Sequence, residues 1–568
     1  MLIAFRQAGQ TTLLAMLLLS TVTLQQASLQ TVVSDAKVPL PKEDAKAGDR
    51  FVARAPGEPA HPAPGSWGYD KSTGEFKHPA QTPFMPGMVS WDGQLDYLDQ
   101  NQYALNTKVE AFYPYVVVPN HTWQTVFDLG GRRYMYHYYR NAYKGYDITD
   151  PRELKVITEK TLNTRGGDRP FGPMAIRFSR SLGKLLAVQC YEVPRFGIIN
   201  NKYLEPDKVQ FVRGMKMLRG FAIYEVTSPR FEEWKLLSEV THDPKKSAKD
   251  QPQEGSGCLD IPYFNEKYLF VAAAPDDSFS NTEYTSVLWS AAQLAYDISD
   301  PSQPKLLSTW WIPGQRAGED NELKNNPRYG NRASWLGARM PLAIPRAPED
   351  GGRYGYAPMG GLGMYALDVS DPKHLRAVGH VDLPVSVAGT EGDNIDVTQA
   401  ERTGVIFFSG YPLNDDCYEP YKDIYAIDIK DAAHPKLIGT LPRPRPPKEA
   451  PFTDFCQRRG SFGPKRTGYW INTGKPSDKY LIYAFYNAGM QMYDVSDPSK
   501  PAIAAYFVPK MIDAKMELPK GNNHAVPPPA HGVFVEWDRN LVWVFTNHGF
   551  YAVSSPLLGA PVFNLPKN

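Results

Sequence analysis

The chain has 568 residues, 42% of them apolar, which is enough for a large core and excludes wholesale disorder. Its 62 Lys and Arg balance 61 Asp and Glu. That balance excludes a general nucleic-acid binder, whose phosphate contacts need a basic face, and gives no sign of a polybasic membrane anchor.

In chain order, residues 1–27 read as a secretory signal peptide. Arg6 precedes an apolar run from Thr12 to Leu24 that is too short to span a bilayer comfortably, and Ala27 and Ser28 supply small residues for cleavage. The alternative is an uncleaved anchor. No other stretch is apolar enough to cross a membrane, so no transmembrane segment is expected in the mature chain, and its expected location is periplasmic or secreted. Residues 28–110 read as an extended N-terminal arm, rich in Pro, Gly, Ala and Lys over 34–81.

From 111 to 568 one signature recurs seven times. YDITDP begins at Tyr146, YEVTSP at Tyr224, YDISDP at Tyr296, LDVSDP at Leu367, IDIKDA at Ile427, YDVSDP at Tyr493 and YAVSSP at Tyr551. A buried-strand pattern such as 479–486 precedes each signature, a short strand such as 304–312 follows it, and a further strand such as 531–537 opens the unit. Four strands per unit make a blade, so the expected fold is all-β: a single seven-bladed β-propeller of four-stranded antiparallel blades with long loop insertions. The signature has a physical reason. Its apolar residue packs between sheets, its Asp and Ser bond nearby backbone N–H groups, and Pro ends the strand. Carboxylates that recur once per blade are therefore read as architecture and not as catalysts.

The motif in YDVSDPSKPAIAAYFVP, from Tyr493, and its six relatives resemble the LVIVD repeat of exported bacterial propellers. The resemblance covers Tyr113 to the C-terminus. The motif core is nearly intact at Asp297, Asp368 and Asp494 and departs from the consensus at Glu225, Asp428 and Ala552. It implies the fold and export; that family has no shared catalytic motif to carry over.

In a propeller, the loops that enter the inner strands and those that join the middle strands gather on one face. The sequence places Arg140, Asp260, Asp393, Arg458, Arg459, Asn487 and Asn547 there as candidate ligand-binding residues, with Arg339, Lys465 and Arg466 in the same loops. His121, His531 and His548 come from the first and last units and could hold a transition metal ion; the alternative is loop histidines bonded to backbone or water. The segment 443–466 is locally basic and suits a carboxylate or phosphate, unless its cations pair with the acidic loops of the fifth blade. There is no GxSxG elbow, phosphate loop or dinucleotide fingerprint, and GGLG at 360–363 reads as a tight turn. Two functions stay open. One is an exported propeller that binds a small molecule, glycan or partner protein on its loop face. The other is a metal-dependent oxidoreductase or hydrolase that uses the three histidines.

Two further expectations concern closure. The C-terminal 561–566 aligns with the outer strand of earlier units and is expected to complete the seventh blade, with YPYVVVP at 113–119 as the alternative latch. The repeat register places Cys190 and Cys258 at the same face of blades 2 and 3, and Cys417 and Cys456 likewise on blades 5 and 6. The expected disulfides are Cys190–Cys258 and Cys417–Cys456, because crossed pairs would separate Cα atoms by more than roughly 7 Å. The alternative is four free thiols.

Overall fold

The Asp-Val-Ser-Asp-Pro turn sets the period of the structure. In the computed structural model, the first Asp carboxylate of each intact copy accepts the N–H two residues on: Thr149 to Asp147 at 3.0 Å, Ser299 to Asp297 at 2.9 Å and Ser496 to Asp494 at 3.0 Å. The second Asp repeats the turn, with Arg152 donating to Asp150 at 2.9 Å and Ser499 to Asp497 at 3.0 Å. Hydrogen bonds from the Ser302 and Ser499 side chains hold the Asp300 and Asp497 carboxyls below their usual range. Between the two acids lies a buried Ile or Val. Its N–H reaches a carbonyl at the head of the second strand, as in Ile298 to Lys267 (2.8 Å) and Val495 to Lys479 (2.8 Å). The Asp residues of the signature are thus committed to turns.

The structure describes residues 97–114, 123–139, 142–161, 171–191, 213–241, 252–280, 289–319, 336–383, 390–412, 422–458, 461–511, 530–546 and 549–565, with position 323 and the pairs 38–39, 69–70 and 75–76. It is an all-β, seven-bladed β-propeller of antiparallel four-stranded blades. Blade 1 comprises Trp123–Leu129, Arg132–Tyr139, Ala142–Asp147 and Lys155–Thr161. Blade 2 comprises Phe171–Ser179, Lys184–Tyr191, Gly220–Glu225 and Lys235–Thr241, and blade 3 Gly257–Phe264, Tyr268–Ala274, Ala292–Asp297 and Lys305–Trp310. Blade 4 holds Tyr354–Pro358, Met364–Asp368 and Arg376–Val381, its inner strand reduced to the bridge between Ala343 and Tyr356. Blade 5 runs Thr390–Asp396, Val405–Tyr411, Ile424–Asp428 and Lys436–Thr440. The inner edge of blade 6 is likewise a bridge, Arg466 to Ala484, before Tyr480–Ala484, Met490–Asp494 and Ala502–Val508. Blade 7 begins with Gly532–Glu536, Leu541–Thr546 and Gly549–Ser554. GGLG makes the expected turn, the Gly363 N–H donating to the Gly360 carbonyl at 3.0 Å. Among the described residues, no helix is long and apolar enough to cross a membrane.

Every blade carries a bulge at the same place. The ladder between third and outer strand skips one outer-strand residue in all seven, for example between Val156 and Thr158 and between Leu306 and Ser308. A bulge twists an edge and spoils it as a template for another chain. Beside it, the outer strand caps the next blade's turn: the Ser238 hydroxyl donates to the Pro301 carbonyl (2.7 Å) and Ser308 to Pro372 (2.6 Å).

The seventh blade departs from expectation. Its outer strand is Lys108–Pro114, paired with Gly549–Ser554, so the N-terminal segment and not 561–566 closes the ring. The reason is chemical: 561–566 begins and ends in Pro, which has no N–H to donate. In its place, Val562 donates to the Arg539 carbonyl at 2.9 Å. Upstream, Tyr103–Leu105 pairs with Ala502–Val508 of blade 6, so both strands begin before residue 111. The Tyr113 hydroxyl then donates to the Pro151 carbonyl of blade 1 at 2.8 Å.

Arg458 anchors this strap. It pairs with Asp99 at 3.2 Å, both side chains fully buried, and donates to the carbonyls of Asn487 (2.7 Å) and Pro509 (2.8 Å). Removing one partner of a buried pair strands the other charge. Asp99→Ala is therefore expected to cost about 3–5 kcal/mol in denaturant unfolding, whereas deletion of 561–568 is expected to cost much less. Equal losses would show that the N-terminal strap is not the main closure.

Candidate functional site at the ring axis

Blades 2, 3 and 5 break their inner ladders, blade 2 between Phe171 and Met174. In blade 3 the register slips between Leu259 and Tyr263, and in blade 5 between Thr390 and Asn394. Asp260 and Asp393 sit in these bulges, and Asp260 takes a left-handed backbone (φ 55°), uncommon for a residue other than Gly. Both acids are buried and meet cations from other blades. The Asp260 carboxylate lies 3.2 Å from Nη1 of Arg466, and Asp393 lies 2.6 Å from Nε of Arg339. Lys465, also buried, lies within electrostatic reach of all four.

The charges set each other's protonation. Burial raises the Asp260 carboxyl, but Arg466, Arg339 and Lys465 outweigh it and hold it below its usual range. Burial, then Arg466, pulls the Lys465 ammonium well below its ordinary value. From blade 7, His531 is lowered to about 3 by burial and by Lys465, and is neutral. Burial and neighbouring His531 likewise lower His137 of blade 1.

Residues 466–473 (RTGYWINT) carry the chain across the axis. Arg466 meets blade 3, the Thr467 N–H points at the Asn394 side chain of blade 5 (3.4 Å), and the Thr473 N–H donates to Val535 of blade 7 at 3.0 Å. The Thr473 hydroxyl also receives Arg133 of blade 1 at 2.9 Å. Gly468 fits because a Cβ there would collide with the Val533 carbonyl. Tyr469 packs on the blade 4–5 core and Ile471 on the blade 7–1 core, so the segment plugs the channel. Beside it, Trp123, Gln124, Ile261 and Gly532 with Arg466, Gly468 and Trp470 of the segment line a small cavity of about 10 Å³, room for about one water.

The candidate residues separate on this frame. Asp260, Asp393 and His531 converge at the axis. Arg458 and Asn487, expected on the ligand face, are instead buried against the N-terminal strap and blade 6, with Asn487 Nδ2 donating to the Phe455 carbonyl (3.3 Å). The basic segment 443–466 divides: Arg443 pairs with Asp423 of blade 5 at 2.6 Å, Arg458 goes to Asp99, and Lys465 and Arg466 go to the axis. His121, Arg140, Arg459, Asn547, His548 and Cys417 lie outside the described residues, as does the Cys456 side chain, and with them the Cys417–Cys456 bond. Among the described residues, no three His, Cys, Asp or Glu side chains are grouped to hold a metal. The cations beside His531 disfavour a metal ion there by like-charge repulsion. Arg339 and the Gly468–Trp470 part of the plug stand out only weakly in sequence. Their one signal is that unit 6 lacks a clear apolar inner strand before 479.

The expected disulfide Cys190–Cys258 is present, with Cα atoms 5.4 Å apart. It ties the second strand of blade 2 to the inner strand of blade 3, two residues before Asp260.

No family model matches the chain, and no curated protein matches it. Two solved structures are similar to it at 8% identity: Sqt1 of Saccharomyces cerevisiae, covering 82% of this chain and 100% of that chain with a TM-score of 0.36, and a chain of a mitotic checkpoint complex, covering 79% and 96% with a TM-score of 0.39.

Two outcomes follow from this geometry. Replacing Cys190 and Cys258 by Ser removes a cross-link spanning a sequence separation of 68; the expected loss is about 4 kcal/mol in denaturant unfolding, and a variant as stable as the parent would show that this bond does not constrain the chain. His531 is neutral when folded, so protonation favours unfolding. Its contribution is whole above about pH 6.5, the unfolded value, and is lost as pH falls towards about 3. His531→Gln is expected to flatten the acid limb of stability by up to about 1.4 kcal/mol per pH unit. Parallel limbs would refute a buried neutral imidazole.

Proposed function

We propose that this chain is an exported propeller, akin to the LVIVD-repeat proteins, that captures a small molecule at the ring axis of its loop face. The observation that carries the proposal is the pair of inner-strand bulges that turn Asp260 and Asp393 toward the axis, where Arg466 and Arg339 meet them. Burying charge costs stability, and a propeller core has no need of it. Bulges that break a ladder to re-aim a side chain accumulate at functional sites. The crossing segment 466–473 supports a filled axis and not an open pore. A leader at 1–27 and the Cys190–Cys258 bond support an oxidising compartment outside the cytoplasm. The metal-enzyme alternative gains nothing from His531, whose neighbours are cations.

The test is a thermal-shift screen of metabolites, glycans and peptides against the full chain. A true axial ligand at about 100 times its Kd should stabilise the protein by about 2.7 kcal/mol and lose its effect in Arg466→Gln. Hits that all survive this substitution would place binding elsewhere on the ring.

A further inference from the structure

We propose that a groove between the outer strand of blade 5 and the signature turn of blade 6 docks an extended acidic segment of a partner protein. This site is separate from the axis and does not depend on the reading of the axis.

The groove owes its shape to LPRPRPPK, residues 441–448. Pro fixes its own φ and pushes the residue before it out of the helical region, so Pro442, Pro444, Pro446 and Pro447 together favour a polyproline II rod. The structure fits that expectation. No helix or strand includes 441–448. Burial repeats every third residue, the period of such a rod: Leu441, Pro444 and Pro447 are buried, and the residues between them are half-buried or exposed. The rod is pinned at both ends. The Leu441 N–H donates to the Ile424 carbonyl at 2.8 Å, and the Arg443 guanidinium forks onto Asp423 at 2.6 and 2.8 Å. At the far end the Ala450 N–H donates to the Pro447 carbonyl at 3.0 Å. With Pro444 and Pro447 buried, the rod is no ligand for a proline-reading partner. It is a wall, fixed before any partner arrives, which lowers the ordering cost of binding.

The groove it borders has a volume of about 1120 Å³ and is also lined by Lys500 and Pro501, just after the blade 6 turn. Four cations line it against two acids, Asp423 and Asp454. Asp423 is engaged by Arg443. Arg445 and Lys448, three residues apart on one row of the rod, are exposed and pair with no acid among the described residues. Glu449 lies in the turn that ends the rod and does not line the groove. Lys500 is exposed too; the acid it feels, Asp497, already accepts the Ser499 N–H at 3.0 Å and hydroxyl at 2.6 Å. The charge complement of this groove is an anion.

Its other features select among anions. Pro442, Pro446 and Pro501 lie between the cations, so the ligand has to bring apolar groups as well as charge. A polyanionic glycan lacks them. An extended acidic peptide carries carboxylates on one face and apolar side chains on the other. The prolines of the rod have no N–H, so the wall offers carbonyl acceptors, and a peptide backbone supplies the matching donors. As a polyproline II helix, 441–447 spans about 19 Å, enough for about six residues of extended chain.

The experiment measures fluorescence anisotropy of labelled peptides of about six residues on the full chain. One alternates Glu and Phe, one alternates Lys and Phe, and one is all Glu; polygalacturonate serves as competitor. The Glu–Phe peptide is expected to bind about tenfold more tightly than either other peptide, to weaken as salt is raised and to resist polygalacturonate. This comparison needs no variant. Joint replacement of Arg445, Lys448 and Lys500 by Gln should weaken the Glu–Phe peptide by about tenfold while leaving the denaturant midpoint unchanged, because all three side chains are exposed. Binding of the Glu–Phe peptide that is absent, unaltered in the triple variant or matched by the Lys–Phe peptide overturns the inference. All-Glu peptide binding as tightly, or polygalacturonate displacing the Glu–Phe peptide, overturns it as well and marks a site for bare polyanions.

Discussion

A ring of sheets holds only while it is closed, and here closure rests on the ladder between Lys108–Pro114 and Gly549–Ser554. Without that strand, blade 7 would present an unpaired edge and the ring would have two loose ends. The strap that supplies it is fastened at several points. Tyr103–Leu105 adds to blade 6, the buried Asp99–Arg458 pair holds the segment just before it, and Tyr113 reaches the turn of blade 1. Blades 6, 7 and 1 are thereby joined by one stretch, residues 99–114. The opposite face is closed by a second junction, in which Arg133 of blade 1 meets Asp538 of blade 7 (2.8 Å) and Thr473 of the plug.

Closure gives the axis its character. Inner strands of a closed ring cannot slide apart, so they can hold like charges near one another that an open sheet would release to water. Arg339, Lys465 and Arg466 come from blades 4 and 6 and face acids from blades 3 and 5, so no single blade could assemble the group. The plug adds a floor, since Gly468 lets the chain lie directly against the inner strand of blade 7. The disulfide fixes the strand that carries Asp260. Together these features give the axis rigid walls and a preset charge pattern.

The same comparison separates two kinds of acid. In the signature turns, Asp297, Asp494 and their equivalents accept neighbouring N–H groups, so their role ends with the turn. Asp260 and Asp393 are buried, lie in broken ladders and are answered by distant cations. Recurrence marks the first kind. The second is confined to part of the ring: the inner ladder slips in blades 2, 3 and 5, and the slips of blades 3 and 5 carry an Asp.

What could be read from the residues alone follows from locality. The Asp-x-Ser-Asp-Pro turn is satisfied within a few residues, so seven copies announce seven blades, and the same register brings Cys190 opposite Cys258. The architectural role of the repeated carboxylates was legible for the same reason. Closure was not, because Lys108–Pro114 and 561–566 are both short segments able to follow a third strand, and only the competition for one edge, lost by a segment bounded with Pro, decides between them. Arg458 was equally misleading: a cation in a loop carries no sign of whether it faces a ligand or a buried Asp99, more than three hundred residues away in the chain. The axial group belongs to this second class. Asp260, Asp393 and His531 were visible as polar residues at strand ends, but their meeting with Arg339, Lys465 and Arg466 depends on the order of blades around a closed ring and on where the inner ladders slip. Local chemistry determined the blade and its number; long-range packing of one blade against another decided which charges are buried together.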